Sequence, residues 1–138
     1  MRIVVDTNII VAACLGTGAA NAVVAACLEQ RCTPVIGNAL FNEVEDVFAR
    51  VSLFESCRLN PRERDELIDA FLSCCEWVRV YYLWRPNLAD EADNHLVELG
   101  VAAGADFIVS RDLRNLRASQ LHFPQLRAVS PEQFLKEL

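Results

Sequence analysis

The stretch Ile3-Val4-Val5-Asp6-Thr7-Asn8 is an uninterrupted apolar run that stops abruptly on three polar residues. Consecutive β-favouring residues without polar alternation suit a strand covered on both faces, as in the middle of a parallel α/β sheet. Asp6 then stands at the strand's carboxyl end. In open α/β sheets the ligand crevice lies outside those ends, so a carboxylate there is placed for chemistry. Asp6 or Asn8 also suits the N-cap of a following helix, and the stretch alone does not separate the two roles.

Outward from that strand the hydrophobic period alternates between helix and strand. Ile9 to Cys14 is apolar on every side, as a buried helix turn should be, and Gly16, Thr17 and Gly18 break it. Ala22 to Gln30 carries Val23, Val24, Ala26 and Cys27 at helical spacing, and Thr33 to Ile36 is a second strand ended by Gly37. Asn38 is the expected N-cap of the next helix, where Leu40, Phe41, Val44, Val47 and Phe48 form one stripe with Asn42 and Asp46 opposite. Glu43 falls at the stripe's edge, from which a carboxylate leans toward a strand end or is simply solvated. Residues 50 to 60 have no period. Pro61 suits the first turn of a helix running to about Cys74, with Leu67, Ile68, Phe71 and Leu72 on its apolar face.

Trp77 to Val80 reads as a third strand and Tyr81 to Asn87 as a loop. Asp90, Glu91 and Asp93 precede a helix with Leu96, Leu99 and Ala103 on one face, closed by Gly104. Acidic residues in that place also complement the helix dipole. A fourth strand, Phe107 to Val109, runs into Ser110, Arg111 and Asp112, and Leu126 to Val129 is a fifth. Ser130, Pro131, Glu132 and Gln133 have the pattern of a capping box for a terminal helix. Such alternation implies an α/β fold with a parallel sheet, and 138 residues make one domain, 1–138.

A hydrophobic fraction of 53% and a mean hydropathy of +0.20 predict a dense core and an apolar self-association surface. No run reaches the length of a membrane span, and the first strand begins without a basic segment and cleavable apolar stretch, so the expectation is a cytoplasmic protein with no membrane partner. Six cysteines without C-x-x-C spacing read as reduced core thiols, and a zinc site from Cys57, Cys74, Cys75 and a histidine lacks the usual ligand spacing. The net charge of −6 argues against broad nonspecific nucleic-acid affinity. It leaves room for a nuclease, because carboxylates gathered around a cation contribute negative charge that the cation offsets. Of the 13 basic residues only Lys136 is not Arg, which suits bidentate phosphate or carboxylate contacts.

Right-handed crossovers bring the carboxyl ends of parallel strands to one rim. Asp6 and Asp112 each follow a strand, Asp93 opens the helix before the fourth strand, and Glu43 is within reach from the third helix. Four acids in one cleft repel each other unless a divalent cation neutralises them. Other α/β enzymes fit less well. A receiver-type phosphoacceptor wants a Lys near a late strand, a haloacid-dehalogenase-like phosphatase wants an acid where Asn8 stands, and no Walker-A or dinucleotide fingerprint is present.

Val-Val-Asp6-Thr7-Asn8, the helix around Glu43-Val44, Asp90-x-x-Asp93-Asn94, Gly104-Ala105-Asp106-Phe107-Ile108-Val109-Ser110-Arg111-Asp112 and Ser130-Pro131-Glu132-x-Phe134-Leu135 together resemble the PIN-domain nucleases. The resemblance is strongest to the toxin components of bacterial toxin–antitoxin pairs and covers nearly the whole chain. It implies a three-layer α/β/α sandwich around a central, mostly parallel, five-stranded sheet. By it, Asp6, Glu43, Asp93 and Asp112 match the acidic quartet, with Thr7, Asn8 and Ser110 as polar support. Asp90, one helical turn before Asp93, is the other candidate for the third acid, and Asp93 is preferred for its place directly before Asn94.

The activity implied is Mg²⁺- or Mn²⁺-dependent hydrolysis of RNA, with Asp6, Asp93 and Asp112 as metal ligands and Glu43 holding or deprotonating the attacking water. Arg111 stands where relatives of the closest type often carry Gly, and it either crowds the site or contacts phosphate. Arg111, Arg114 and Arg117 are candidates for steering the RNA backbone, with a solvated loop as the alternative. Trp84 and Tyr82 are expected to stack bases or to be buried at a subunit interface. The implied partners are a small antitoxin protein and a second copy of the chain. The alternative function is a PIN-like module that binds RNA or protein without cutting.

Overall fold

A computed structural model of the chain describes residues 1–16, 18–80, 94–117 and 123–138. Strand β1 (Arg2–Val5) runs through its middle, with Ile3, Val4 and Val5 all withdrawn from solvent, as an apolar run without alternation requires. On one side it pairs with β2 (Thr33–Ile36), Val4 opposite Val35, and on the other with β4 (Phe107–Val109), Val4 opposite Ile108. The two-residue β3 (Glu76–Trp77) borders β2, and β5 (Arg127–Val129) borders β4. The sheet order is β3-β2-β1-β4-β5 and every pairing is parallel.

The chain therefore steps outward from β1 to β3 and then returns across the sheet to β4. The strand order reverses between β1 and β4, and the crevice of an open α/β sheet lies just beyond such a reversal. Right-handed crossovers put the helices of the outward and return paths on opposite faces, giving three layers. Helices α1 (Thr7–Leu15), α2 (Ala19–Leu28) and α4 (Pro61–Cys74) belong to the outward path. Helix α2 packs against α1, α4 and the terminal α7 (Pro131–Glu137), while α5 (Asn94–Ala103) lies across β1, β2 and β4. Helix α3 (Asn38–Phe48) touches both α1 and α5, and α6 (Leu113–Leu116) is a single turn beside β5. Among the described residues no single helix is long and apolar enough to cross a membrane.

Local chemistry explains most boundaries. Asn60 and Ser130 close full capping boxes with Glu63 and Gln133, each followed by Pro at the first helical position. Helix α5 stops at Gly104, whose φ of +61° is the left-handed conformation that favours glycine. The structure corrects several expected limits. Helix α2 starts at Ala19 rather than Ala22, and Gly37, not Asn38, holds the N-cap position of α3. The third strand ends at Trp77, although the Val78 amide still donates to the Ile36 carbonyl at 2.9 Å, and the fifth starts at Arg127. The loop expected at Tyr81 to Asn87 lies outside the described residues. Cys14, Cys27 and Cys32 are buried free thiols, and burial pushes Cys14 up to about 11 and Cys75 to about 12, so both stay protonated and unreactive.

Phe134 of α7 is fully buried, edge-on to Phe107 of β4 with ring centroids 5.8 Å apart. It seals the side of the sheet that carries the return strands. Phe134→Ala is expected to cost about 3–5 kcal/mol in urea unfolding, and Phe134→Leu clearly less. Equal small losses for both would mean that α7 is not part of the cooperative core.

Candidate active site

The residues after β1 and β4 meet because the two strands are neighbours. The Asp6 amide donates to the Val109 carbonyl at 3.0 Å, and the Ser110 amide donates to the Val129 carbonyl at 3.0 Å, which carries the sheet one rung past its strands. Asp6 holds the N-cap position of α1, with the Ile9 amide donating to its carbonyl at 2.9 Å. Its side chain makes no capping hydrogen bond and turns instead to β4. Oδ2 accepts from the Ser110 hydroxyl at 2.6 Å and from Asn8 Nδ2 at 3.2 Å. The two roles left open by the sequence thus separate: the backbone caps and the carboxylate does not.

Ser110 is fully buried and works in both directions, since its Oγ also accepts from the Asp112 amide at 3.0 Å. Asn8 completes the tie. Its Nδ2 approaches Ser110 Oγ at 3.4 Å and its Oδ1 accepts from the Arg111 amide at 3.3 Å. This network fixes the amide's orientation. Asp112, exposed and at the N-cap position of α6, is held by its backbone rather than its carboxylate.

Glu43 approaches from α3. Its Oε2 lies 3.0 Å from Nε2 of His95 on α5, a contact that ties the two helices together at this rim. Asp6, Thr7, Asn8, Glu43 and Asp112 line one open recess of about 340 Å³. No Lys or Arg is among its described lining residues, so its field is negative.

The two inner carboxylates shift in opposite directions. Asp6 is 6% exposed, and burial raises its pKa. The Ser110 hydrogen bond works against that rise, the nearby Glu43 charge adds to it, and His95 and the Asn8 amide oppose it. The Asn8 amide comes close enough to favour the ionised form without closing a capping bond. Glu43 moves down, chiefly through the His95 hydrogen bond, while its partial burial opposes the shift. Thr7 Oγ1, buried, also favours the Glu43 carboxylate but closes no hydrogen bond of ordinary geometry.

The donor set is all carboxylate and amide oxygen, which suits a hard divalent cation. Among the described residues no three His, Cys, Asp or Glu side chains converge closely enough to form a ready cage. Asp90 and Asp93 lie outside the described residues. Arg111, Arg114 and Arg117 are exposed and none lines the recess. Arg117 instead reaches Gln133 Oε1 at 3.4 Å and lines a separate polar hollow with Arg127 and Lys136. Sequence reasoning missed His95, whose place beside Asn94 in the acidic cluster was the available signal.

A carboxylate with a raised folded-state pKa adds stability below its unfolded pKa and loses that contribution as pH rises through the folded value. Ionised Asp6 is therefore a cost at neutral pH. Asp6→Asn keeps an acceptor for Ser110 and removes the charge, so in chelator at pH 7 it should melt about 3 °C higher than the parent, with the gain vanishing below about pH 4. Added Mg²⁺ should stabilise the parent more than the variant. Equal melts under all conditions would show that Asp6 bears no desolvated charge.

Known proteins match this chain at two levels. The family described as PIN domain matches residues 2–114, which include Asp6, Glu43, Asp93 and Asp112. Among solved structures, the chain is similar to one in the crystal structure of VapBC2 from Rickettsia felis bound to a DNA fragment from their promoter. The TM-score is 0.61 at 14% identity, over 94% of this chain and 98% of that one, a likeness of fold. No curated protein sequence matches. With a five-stranded parallel sheet, a carboxylate pair at its switch point and a family match over most of its length, the chain belongs to the PIN-domain family.

Proposed function

We propose that this protein is a Mg²⁺- or Mn²⁺-dependent ribonuclease and the toxin of a toxin–antitoxin pair. The observation that carries this reading is the recess that Asp6, Glu43 and Asp112 line together, without a basic partner among the described lining residues. Asp6 and Asp112 would hold the cation, with Asp93 as a third ligand by its match to the family's motif. When bound, the cation would lower the pKa of a water and offset charge developing on the phosphoryl oxygens.

The chain's own residues divide the remaining work. Ser110 and Asn8 fix one oxygen of Asp6, so this carboxylate cannot swing away from the recess. The lowered pKa of Glu43 makes it a weak base. It therefore suits a role as hydrogen-bond acceptor that orients the attacking water better than one that removes its proton outright. His95 is a positioning residue that holds Glu43 in that role. Arg111, Arg114 and Arg117 are exposed and follow Ser110 in sequence, which supports a role for them in meeting phosphates outside the recess.

Incubation with an RNA pool tests the reading. Cleavage should appear with Mn²⁺ and disappear with chelator, Asp6→Asn should abolish it, and Glu43→Gln should lower kcat by about 100-fold or more. Equal cleavage with and without metal would sink the mechanism. No cleavage in either tube would favour a PIN-like binding module.

The toxin reading also implies partners. Leu15, Val51 and Leu53 are exposed large hydrophobics. The Cys57 thiol donates to the Cys14 carbonyl at 3.1 Å, which brings the stretch after the Val51–Phe54 turn against the end of α1. Exposed apolar side chains on such adjoining segments suit a protein interface. The likeness to VapBC2, seen bound to a DNA fragment from their promoter, supports the same view. Light scattering at tens of micromolar should give a dimer, and a small protein should co-purify from the native host. A monomer without a companion would count against the toxin assignment.

A further inference from the structure

A second cleft, of about 740 Å³, opens where β2 and β3 end beside α5. It shares a wall with the acidic recess. Glu43 lines the recess, His95 lines the cleft, and the two side chains are hydrogen-bonded to each other at 3.0 Å. Leu40 and Leu99, both buried, make an apolar floor beside the buried Glu98. Gly37 keeps that floor tight, since a Cβ there would lie 3.2 Å from the Val78 carbonyl and 3.4 Å from Leu99 Cδ1. At the rim stands Trp77, 53% exposed and tilted against Phe41 with ring centroids 5.3 Å apart. Asn38 and Arg79, both exposed, add polar groups to the same lining.

An open indole, an apolar floor and a few donors and acceptors at the edge are the chemistry that takes a planar heteroaromatic ring. We propose that this cleft is the subsite for the nucleobase adjoining the scissile phosphodiester, stacked on Trp77 and read at its edge by Asn38 and Arg79. The inference rests on the ribonuclease reading and adds a specificity site to it. His95 lines the cleft and is hydrogen-bonded to Glu43 of the recess, so a base in the cleft and a phosphate in the recess belong to one nucleotide step. Stacking tolerates every base, so Trp77 supplies affinity. Asn38, donor and acceptor, and Arg79, donor only, supply discrimination.

The test is sequencing of the products from a random RNA pool cut with Mn²⁺ by the parent and by Trp77→Ala, Asn38→Ala and Arg79→Ala, with KM measured on one short substrate. The parent should show a base preference at one position flanking the cut, Asn38→Ala or Arg79→Ala should flatten it, and Trp77→Ala should raise KM about tenfold. Parent-like KM and base preference in all three variants would overturn the inference while leaving the nuclease intact. So would conversion of a dimer to a monomer by Trp77→Ala, which would assign this face to a second copy of the chain. If the parent cuts no RNA, the ribonuclease reading fails, and titration with the four nucleoside 5′-monophosphates followed by NMR decides the cleft separately. Saturable shifts lost in Trp77→Ala would support a base site, and their absence in the parent would end it.

Discussion

The hydrogen bond from Ser110 to Asp6, 2.6 Å long and spanning 104 positions of sequence, is the contact on which the site depends. It exists only because β1 and β4 are parallel neighbours in register, with Val5 opposite Val109 and each strand continued by one polar residue. A carboxylate as buried as Asp6 has lost most of its hydration, and an unrelieved loss of that kind costs several kcal/mol. Ser110 and Asn8 return part of it as charge-assisted hydrogen bonds. The same Ser110 oxygen takes the Asp112 amide, so the element that solvates the first acid also sets the backbone of the last. Moving β4 by one residue would place Val109 against Asp6 and undo both functions at once.

Burial and pairing then differentiate acids that are chemically alike. Asp6 is pushed toward its protonated form chiefly by burial, and Glu43 toward its ionised form chiefly by His95. Environments that separate two carboxylates in this way assign them different tasks. The acid whose charge is least favourable in the recess gains most from a cation, whereas the acid stabilised by an imidazole needs none. His95 has a further consequence for shape. Through Glu43 it links α3, on the outward path of the chain, to α5, on the return path, so the rim is closed by a contact between elements that enclose the sheet from different sides.

Much of this was legible before the fold was known. The apolar runs at 3–5, 34–36 and 107–109 each announced a buried strand, because a strand covered on both faces leaves no room for polar alternation. The polar residue ending two of them located the rim. What escaped was set by tertiary context. Asn38 has the chemistry of a cap, yet the turn after β2 puts Gly37 in that position, and the two-residue β3 is shorter than its apolar run suggests because Val78 continues the ladder by only one hydrogen bond. The pairing of His95 with Glu43 was not legible because the two lie 52 positions apart, and no local period reports such a contact. The capping role of Asp6 was undecidable for a different reason: backbone and side chain do separate jobs, and a sequence names only the residue.

An acidic nuclease is not a contradiction once charge is read locally. The net −6 includes carboxylates whose mutual repulsion is what would draw a divalent cation to the recess, and a bound cation reverses the field that an approaching phosphate meets there. The remaining surface then works by contrast. At physiological salt, charges farther apart than about 8 Å are largely screened, so phosphates respond to the guanidinium groups nearest the rim rather than to the sum over the chain. Arg111 follows Ser110 directly as the chain leaves β4, whereas Arg114 lies in α6 and Arg117 turns to Gln133. On the proposed function, such a protein would hold nucleic acid weakly everywhere except beside a cation in the recess, and binding strength would be tied to correct placement of the scissile phosphate.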